Sequence, residues 1–317
     1  MSKASNKVNA LPPITNENYP KVLFLGNGIN QCFDMDSWEG VLKALKEHFH
    51  TKEYDPKEMP FPLQAILLSK NKVNEAAKIV AKNLVDMEPG PDQKEMLQRL
   101  LHLKFDAIIT TNYSYELEKT LVENWDANRD NRKYRKHMPG RNRAENRNSL
   151  YTYYQYQNQE TPVNIWHIHG EARKHSSIVL GHDYYGNLIG KYGQYIERQQ
   201  FYRKGIPTHE IKMGSWIDMF LLGEVHVLGF GFDYSEIDLW WLLNKKASLA
   251  REHGKTYFYD LAPSSKLFEE KCSPEQKKNQ HDLMDVLGVN VKPYDAETYL
   301  DAYQYFIKKL QTMEGYE

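Results

Sequence analysis

The sequence KVLFLGNGIN occupies residues 21–30 and joins a short apolar run to a glycine turn. Continuous apolar runs of this length are typical of strands that are buried on both faces of a parallel sheet. The segment therefore predicts a first strand over residues 22–25 that ends in a tight turn at Gly26 and Gly28. We expect the ordered part of the chain to start at Lys21.

The same pattern recurs along the chain, and each time an apolar run ends in a small or polar turn. The three further runs are residues 105–111 before Asn112, 163–168 before His169, and 225–228 before Gly229. Residues 256–259 and 289–291 are two more strand candidates, and helical patterns lie between the strands at about residues 38–49, 72–86, 94–103, 115–125, 213–222, 235–252 and 299–313. This alternation predicts an α/β fold of the Rossmann-like, doubly wound kind, with a mainly parallel sheet of about six strands and helices on both faces. Ligands of such sheets bind at the carboxyl ends of the strands, which is where the polar turns fall.

Composition excludes several classes of protein. The 317 residues are 41% hydrophobic and 26% charged, as in ordinary folded proteins, and the net charge of -1 gives no general attraction to nucleic acid or to an anionic membrane. With Cys32 and Cys272 as the two cysteines, the chain can build neither a disulfide framework nor a cysteine-based zinc module. No apolar stretch approaches the length of a membrane span and the first twenty residues do not resemble a secretory signal, so we expect a cytoplasmic protein.

We expect a flexible arm over residues 1–20, followed by a single domain over residues 21–317 with a basic, tyrosine-rich insertion at about 126–160. Within this insertion, residues 128–148 hold eight Lys or Arg against two acidic residues, a local charge of +6. The stretch is either a solvated surface loop or a contact for polyphosphate, nucleic acid or a partner protein. The tyrosines at 151–156 indicate an edge strand or hairpin rather than a base-stacking platform.

Two glycine turns are candidates for nucleotide contacts. Residues 26–31 resemble a dinucleotide-binding turn, but Gln31 replaces the third glycine and the next helix is expected only near Trp38, which disfavours a hydride-transfer enzyme. Residues 229–238 form a second turn that leads into a helix, with Ser235 as the expected N-cap and Asp238 at the capping-box position. Acidic residues at a helix start suit ribose hydroxyls better than phosphates.

Polar residues follow two further strands. Asn112 precedes a helix and is by default an N-cap or Asx-turn residue. His167 and His169 are two residues apart on a predicted strand, which would put both side chains on one face. This spacing also suits a divalent metal, with His175, His182 and Asp183 as further ligands, so a metal-dependent hydrolase is an open alternative.

Four motifs occur in order at strand ends. They are Gly-x-Gly-x-Asn at 26–30, Thr-Thr-Asn-Tyr at 110–113, His-Ile-His-Gly at 167–170 with Ser-Ile-Val-Leu at 177–180 after it, and Gly-Phe-Gly-x-Asp at 229–233. In this combination the sequence resembles the sirtuin-like superfamily, and more narrowly the bacterial sirtuin-like NAD hydrolases of antiphage defence, over roughly residues 21–260.

The resemblance implies a reaction and a set of site residues. It implies that Asn112 positions water and the nicotinamide ribose, and that His169 is the general base. The residues it implies for NAD binding are Gly26, Gly28 and Asn30 at the phosphates, Gly229, Gly231 and Asp233 on the adenosine side, and Thr111. NAD is the expected substrate, with nicotinamide and ADP-ribose as products and no metal. Because constitutive loss of NAD would kill the host, we expect a homo-oligomer or a partner subunit to switch the enzyme on.

The sequence departs from the family pattern in two places. The family usually has Asp two residues after the asparagine, whereas this chain has Ser114, so the carboxylate is either missing or supplied from elsewhere, with Asp34 or Asp36 as candidates. The absent cysteine cluster disfavours removal of acyl groups from lysine. The alternatives are a non-catalytic subunit that senses NAD or ADP-ribose, and transfer of ADP-ribose to a protein side chain instead of water.

Overall fold

The computed structural model describes residues 19–33, 38–55, 59–138, 150–158, 161–202, 211–265, 267 and 273–313. The arm expected at residues 1–20 lies outside these ranges except for its last two residues. Asp34, Asp36 and residues 139–149 of the basic stretch also lie outside them.

The sheet of the described residues has eight strands rather than about six. They are β1 Lys21–Leu25, β2 Ala107–Thr110, β3 Arg135–His137, β4 Thr152–Asn158, β5 Thr161–His167, β6 Glu224–Leu228, β7 Thr256–Leu261 and β8 Val289–Tyr294. Their spatial order is β3-β4-β5-β2-β1-β6-β7-β8, and all neighbours are parallel except β3 with β4 and β4 with β5. The six parallel strands correspond to the six predicted ones, and their order is that of a doubly wound Rossmann-like sheet.

The two extra strands, β3 and β4, come from the insertion and pair with each other. The ring centroids of Tyr134 and Tyr156 are 4.5 Å apart. The tyrosine-rich segment is therefore one strand in from the edge. The prediction of a solvated loop is wrong for residues 130–137, which form a helical turn and strand β3, because this tyrosine contact and the strand pairing hold them on the sheet.

Twelve α-helices lie within the described ranges. They are α1 Gly28–Gln31, α2 Trp38–His48, α3 Phe61–Leu68, α4 Val73–Leu84, α5 Pro91–Leu101, α6 Glu116–Leu121, α7 Asp130–Tyr134, α8 His182–Arg198, α9 Trp216–Leu222, α10 Ile237–Ala247, α11 Pro274–Val286 and α12 Tyr299–Gln311. The short α1 begins inside the first glycine turn, so the expectation that the next helix starts only near Trp38 is wrong. In the described part of the chain, no helix combines the length and the apolar character needed to cross a bilayer.

The sheet separates two apolar cores. In β1, Leu23 and Leu25 contribute to one core, while Val22 and Phe24 contribute to the other, and none of the four is more than 1% exposed. Helices α2, α4, α5 and α12 pack in the first core, and α8 to α11 pack in the second. Burial on both faces explains why the strand sequences are continuously apolar instead of alternating.

Helix α8 was not predicted from the sequence. Its buried residues Tyr185, Leu188, Tyr192 and Tyr195 follow helical spacing, but glycines interrupt the pattern on its exposed side. A side chain added at Gly186 or Gly190 would meet nothing within 4 Å. These glycines therefore weaken the helix without serving a packing need.

We predict that Gly186→Ala and Gly190→Ala each raise the free energy of unfolding by about 0.5–1 kcal/mol, because alanine loses less backbone entropy in a helix. Urea unfolding followed by circular dichroism measures the change. Gly26→Ala is the matched control and should destabilise, because its added methyl group would collide with the carbonyl of Gly229. A loss of stability in both helix variants would contradict this account of α8.

Candidate functional site

The carboxyl ends of four adjacent strands bring the predicted site residues to one edge of the sheet. Gly26 follows β1, Asn112 follows β2, His169 follows β5 and Gly229 follows β6. The chain winds away from β1 in one direction through β2 and β5, and in the other direction from β6 onward, so the topological switch point lies between β1 and β6. In doubly wound sheets this crevice is where ligands bind.

The two glycine turns pack backbone against backbone across the switch point. The amide of Gly26 donates to the carbonyl of Leu228 at 3.0 Å, and the amide of Gly28 donates to the carbonyl of Gly229 at 2.7 Å. A Cβ atom on Gly28 would lie 2.8 Å from that same Gly229 oxygen and would also collide with the hydroxyl of Tyr303. Close approach of the two turns thus requires glycine at position 28. The backbone amides of Gly26 and Gly28 both have acceptors in this conformation.

Asn30 is buried and bridges two elements. Its Nδ2 donates to Oδ1 of Asn27 at 2.8 Å, and its Oδ1 accepts from Nε2 of Gln93 at 2.7 Å. These bonds connect the first glycine turn to α5, so the Asn30 side chain stabilises the conformation of that turn. Thr111 is half-buried at the end of β2.

The second glycine turn, residues 229–233, has two residues with positive φ angles and is fixed by hydrogen bonds from α11. Gly229 and Phe232 both have positive φ angles, +70° and +48°, and Nε2 of Gln280 on α11 donates to the carbonyls of Gly231 and Phe232 at 2.9 and 2.7 Å. The exposed Asp233 accepts from the amide of Ser235 at 2.8 Å. Gly231 is exposed as well.

Helix α10 starts later than the sequence predicts. Glu236 is its N-cap, without a side-chain cap bond, and Asp238 lies in the first turn. The predictions of Ser235 as N-cap and Asp238 in a capping box are wrong, because the Asx turn at Asp233 carries the chain beyond Ser235 before the helix begins. Asp238 is fully buried and faces His169 instead.

Asn112 is 6% exposed and its side chain has a fixed orientation. Nδ2 donates to Oε1 of Glu116 at 2.6 Å and makes a longer contact of 3.5 Å with the carbonyl of Gly26. Oδ1 is buried and has no hydrogen-bond partner among the described residues. Asn112 is not an N-cap, because α6 begins only at Glu116 with Tyr115 as its cap. The site therefore presents one buried amide oxygen that is available to a donor.

Glu116 was not predicted as a site residue. It is 1% exposed, and its Oε2 accepts from the hydroxyl of Ser114 at 2.6 Å while Oε1 accepts from Asn112. A carboxylate therefore lies beside Ser114 although position 114 lacks one. Asn112 precedes α6, so helical spacing does not predict this contact, and the sequence offered only the nearby acidic residue as a signal.

The prediction that His167 and His169 lie on one face is wrong, because their side chains contact different helices. Strand β5 ends at His167, and the following turn reaches Gly170 with φ of +101°, so the two-residue alternation of a strand no longer applies. His167 Nδ1 lies 2.8 Å from the carbonyl of Asn112, and Nε2 lies 2.9 Å from Oε1 of the buried Glu118. His169 instead makes contact with α10.

The negative charge of Glu118 stabilises the protonated form of His167. Burial disfavours that form, but the carboxylate of Glu118 outweighs the cost of burial and raises the pKa of His167 to about 9. His167 and Glu118 thus form a buried ion pair behind the Asn112 backbone.

His169 is 2% exposed and lies between two carboxylates. Its Nε2 is 3.0 Å from Oδ2 of Asp238, and its Nδ1 is 3.8 Å from Oε2 of Glu236. Burial opposes the charged imidazole, yet Asp238 and Glu236 raise the pKa of His169 above its usual value. Burial also raises the pKa of Glu236 to about 7, against the effect of the neighbouring His169. The other oxygen of Asp238, Oδ1, is buried without a partner among the described residues.

The same three residues could hold a metal ion, since one ligand atom from each of His169, Glu236 and Asp238 lies within 4.8 Å of the others. His167 is not in this cluster, and the other proposed ligands, His175, His182 and Asp183, are exposed. Within the cluster, His169 makes a hydrogen bond to Asp238, and Glu236 lies farther away at 3.8 Å.

Fold and site together define a doubly wound α/β protein whose polar groups gather at the switch point of the sheet. A family model described as a SIR2-like domain matches residues 106–280, more than half of the chain, and the chain belongs to this family. Membership supports chemistry related to NAD in general. A search of curated proteins found no match.

We predict that His167→Ala lowers the free energy of unfolding by about 3–5 kcal/mol, because it leaves the Glu118 carboxylate buried and unpaired. Urea unfolding of the wild type and the variant at pH 7 gives the difference. His175→Ala, at an exposed histidine, is the control and should change stability by less than about 0.5 kcal/mol. A comparably small loss in His167→Ala would mean that the pair contributes nothing to stability.

The raised pKa of His167 predicts how stability depends on pH. Its contribution is complete below the unfolded-state pKa of about 6.5 and is lost as the pH rises through about 9. The difference in pKa corresponds to about 3 kcal/mol, which should disappear between these limits. Unfolding measured from pH 6 to 10 should show this decline in the wild type, and His167→Gln should flatten it. A decline of the same size in the variant would assign the titration to another group.

Proposed function

We propose that the protein is an NAD hydrolase that cleaves the bond between nicotinamide and ribose to give nicotinamide and ADP-ribose. The observation that carries this proposal is the buried, unpartnered Oδ1 of Asn112, which lies at the switch point of a SIR2-like chain. We further propose that the enzyme is an activatable NAD-depleting effector of antiphage defence.

The reaction requires positioning more than proton donation. Cleavage turns a positively charged pyridinium into a neutral leaving group, so no acid has to protonate nicotinamide as it leaves. The remaining sugar resembles an oxocarbenium ion. A fixed acceptor such as Oδ1 of Asn112 can hold a ribose hydroxyl or the attacking water in reactive geometry, and such proximity effects are worth several kcal/mol.

His169 is suited to receive the proton of that water or hydroxyl. Asp238 contacts Nε2 and orients the ring, as the acid of a hydrolytic triad orients its histidine, so Nδ1 is the nitrogen that would accept the proton. His169 must lose its own proton before it can act as a base. Glu236, with a pKa of about 7 and 3.8 Å from Nδ1, can take up that proton near neutral pH through an intervening water. General base catalysis of this kind contributes about 10²- to 10⁴-fold.

The site contains hydrogen-bond acceptors that suit the hydroxyl groups of NAD. Ribose hydroxyls are hydrogen-bond donors, and the buried Oδ1 atoms of Asn112 and Asp238 are acceptors without partners among the described residues. The exposed Asp233 beside the second turn suits the adenosine ribose. Thr111 and the turn at Gly229 and Gly231 complete the proposed NAD contacts, and Gly26, Gly28 and Asn30 shape the turn next to the phosphates.

Burial of the two catalytic groups supports an enzyme that has to be activated. Asn112 and His169 are 6% and 2% exposed, and the amides of Gly26 and Gly28 are bonded to the end of β6. NAD therefore needs a rearrangement around these groups before it can contact both of them. We propose that self-assembly or a partner subunit drives this rearrangement, and that residues 128–148 take part in the contact.

The same burial favours a second candidate function, a non-catalytic subunit that binds NAD or ADP-ribose and signals through assembly. In that case the wild type would bind NAD, measured by calorimetry, without releasing nicotinamide either as the free chain or in its assembled form. Stoichiometric zinc or manganese in the purified protein, together with activity that chelators abolish, would instead favour the metal-dependent alternative.

We predict that Asn112→Ala and His169→Ala each lower nicotinamide release by at least about 100-fold, because each removes a group that acts on the reacting atoms. The wild type and both variants are incubated with NAD, and nicotinamide and ADP-ribose are followed by chromatography. Asn244→Ala and His175→Ala, at exposed positions, are the matched controls and should keep full activity. If either site variant cleaved NAD at the rate of the wild type, its residue would not be catalytic.

A further inference from the structure

Glu116 is a buried carboxylate that the chemistry described above does not use. It lies in the first turn of α6, is 1% exposed, and accepts hydrogen bonds of 2.6 Å from Asn112 on one oxygen and from Ser114 on the other. Both donors are neutral, so neither cancels a negative charge. A carboxylate is costly to bury, and a buried one that is bonded in this way marks a specific need.

These bonds decide which end of the Asn112 amide faces the site. A primary amide has a donor end and an acceptor end of nearly the same shape. Glu116 and the carbonyl of Gly26 are both acceptors and both face Nδ2. Turning the amide over would place its oxygen against these two oxygens, so Oδ1 is directed to the unpartnered side.

We infer that Glu116 is the positioning residue of Asn112. This inference rests on the proposed hydrolysis of NAD and deepens it. Glu116 holds Oδ1 in the orientation that accepts from a ribose hydroxyl or water, and it places a buried negative charge one amide away from the sugar. Positive charge develops on that sugar during cleavage, and preorganised electrostatic groups of this kind act mainly on the transition state.

Ser114 and Glu116 work as a pair in this arrangement. Position 114 carries no acid, and Glu116 returns a carboxylate to the same place, where the hydroxyl of Ser114 bonds to it. We therefore predict that the carboxylate can be transferred from position 116 to position 114 without loss of its function. A carboxylate at position 114 should replace one at position 116, because either can accept from the Asn112 amide.

Three variants test the inference: Glu116→Gln, Glu116→Leu, and the double variant Ser114→Asp with Glu116→Leu. We expect Glu116→Gln to lower kcat by about 10- to 100-fold with KM within about threefold of the wild type, since the lost charge acts on the transition state. Glu116→Leu should lose more, and the double variant should recover at least about tenfold of that loss. Glu123→Gln, at an exposed position just beyond α6, is the control and should be fully active.

The outcomes separate this inference from the proposed function. Wild-type kcat in Glu116→Gln, or a double variant no more active than Glu116→Leu, would overturn the role of Glu116, whereas loss of activity in Asn112→Ala would still support the hydrolase. A purely structural role would lower the thermal unfolding temperature of Glu116→Leu, and moving the acid would not restore activity. If the wild type binds ADP-ribose but does not cleave NAD, either as the free chain or in the assembly proposed to activate it, the hydrolase proposal fails, and affinity for ADP-ribose becomes the readout. A loss in Glu116→Leu that the double variant restores supports the inference, and unchanged affinity overturns it.

Discussion

The backbone contact between the ends of β1 and β6 is the constraint on which the site depends. Gly26 and Gly28 donate to the carbonyls of Leu228 and Gly229, and no larger residue fits at either glycine without a collision. This contact brings the two halves of the doubly wound sheet together at the switch point. It also places the carbonyl of Gly26 against the amide of Asn112, so the geometry of the first turn reaches the proposed catalytic group.

Asn112 connects two buried polar networks. Its backbone carbonyl lies 2.8 Å from Nδ1 of His167, which pairs with Glu118, and its side chain is held by Glu116. Beyond the next strand end, His169 lies between Asp238 and Glu236. Buried charges are tolerated when they are paired or hydrogen-bonded, and here His167 and His169 have carboxylate partners while Glu116 has two neutral donors. These bonds fix the orientation of the Asn112 side chain in this conformation.

Much of the fold follows from the sequence, because strands buried on both faces leave continuous apolar runs that end in glycine or polar turns. The six parallel strands were found in this way. Strands β3 and β4 were harder to predict because β3 lies in a charged stretch, and α8 was not predicted because glycines interrupt its exposed face. The sequence also predicts Asn112 and His169 as site residues, and the two lie at the same edge of the sheet. The contact of His169 with Asp238 is a tertiary one, and the contact of Glu116 with Asn112 depends on the path of the loop before α6, so neither follows from strand or helix periodicity.

The proposed hydrolysis depends on contact between Oδ1 of Asn112 and the ribose of NAD. A crystal structure of the His169→Ala variant soaked with NAD would show this contact, because this variant is expected to bind the substrate without cleaving it. We predict the nicotinamide ribose at the carboxyl ends of the central strands, with one of its hydroxyl oxygens, or a water beside it, about 3 Å from Oδ1 of Asn112. NAD bound elsewhere, or an Asn112 amide turned so that Nδ2 faces the ligand, would rule out this role of Asn112.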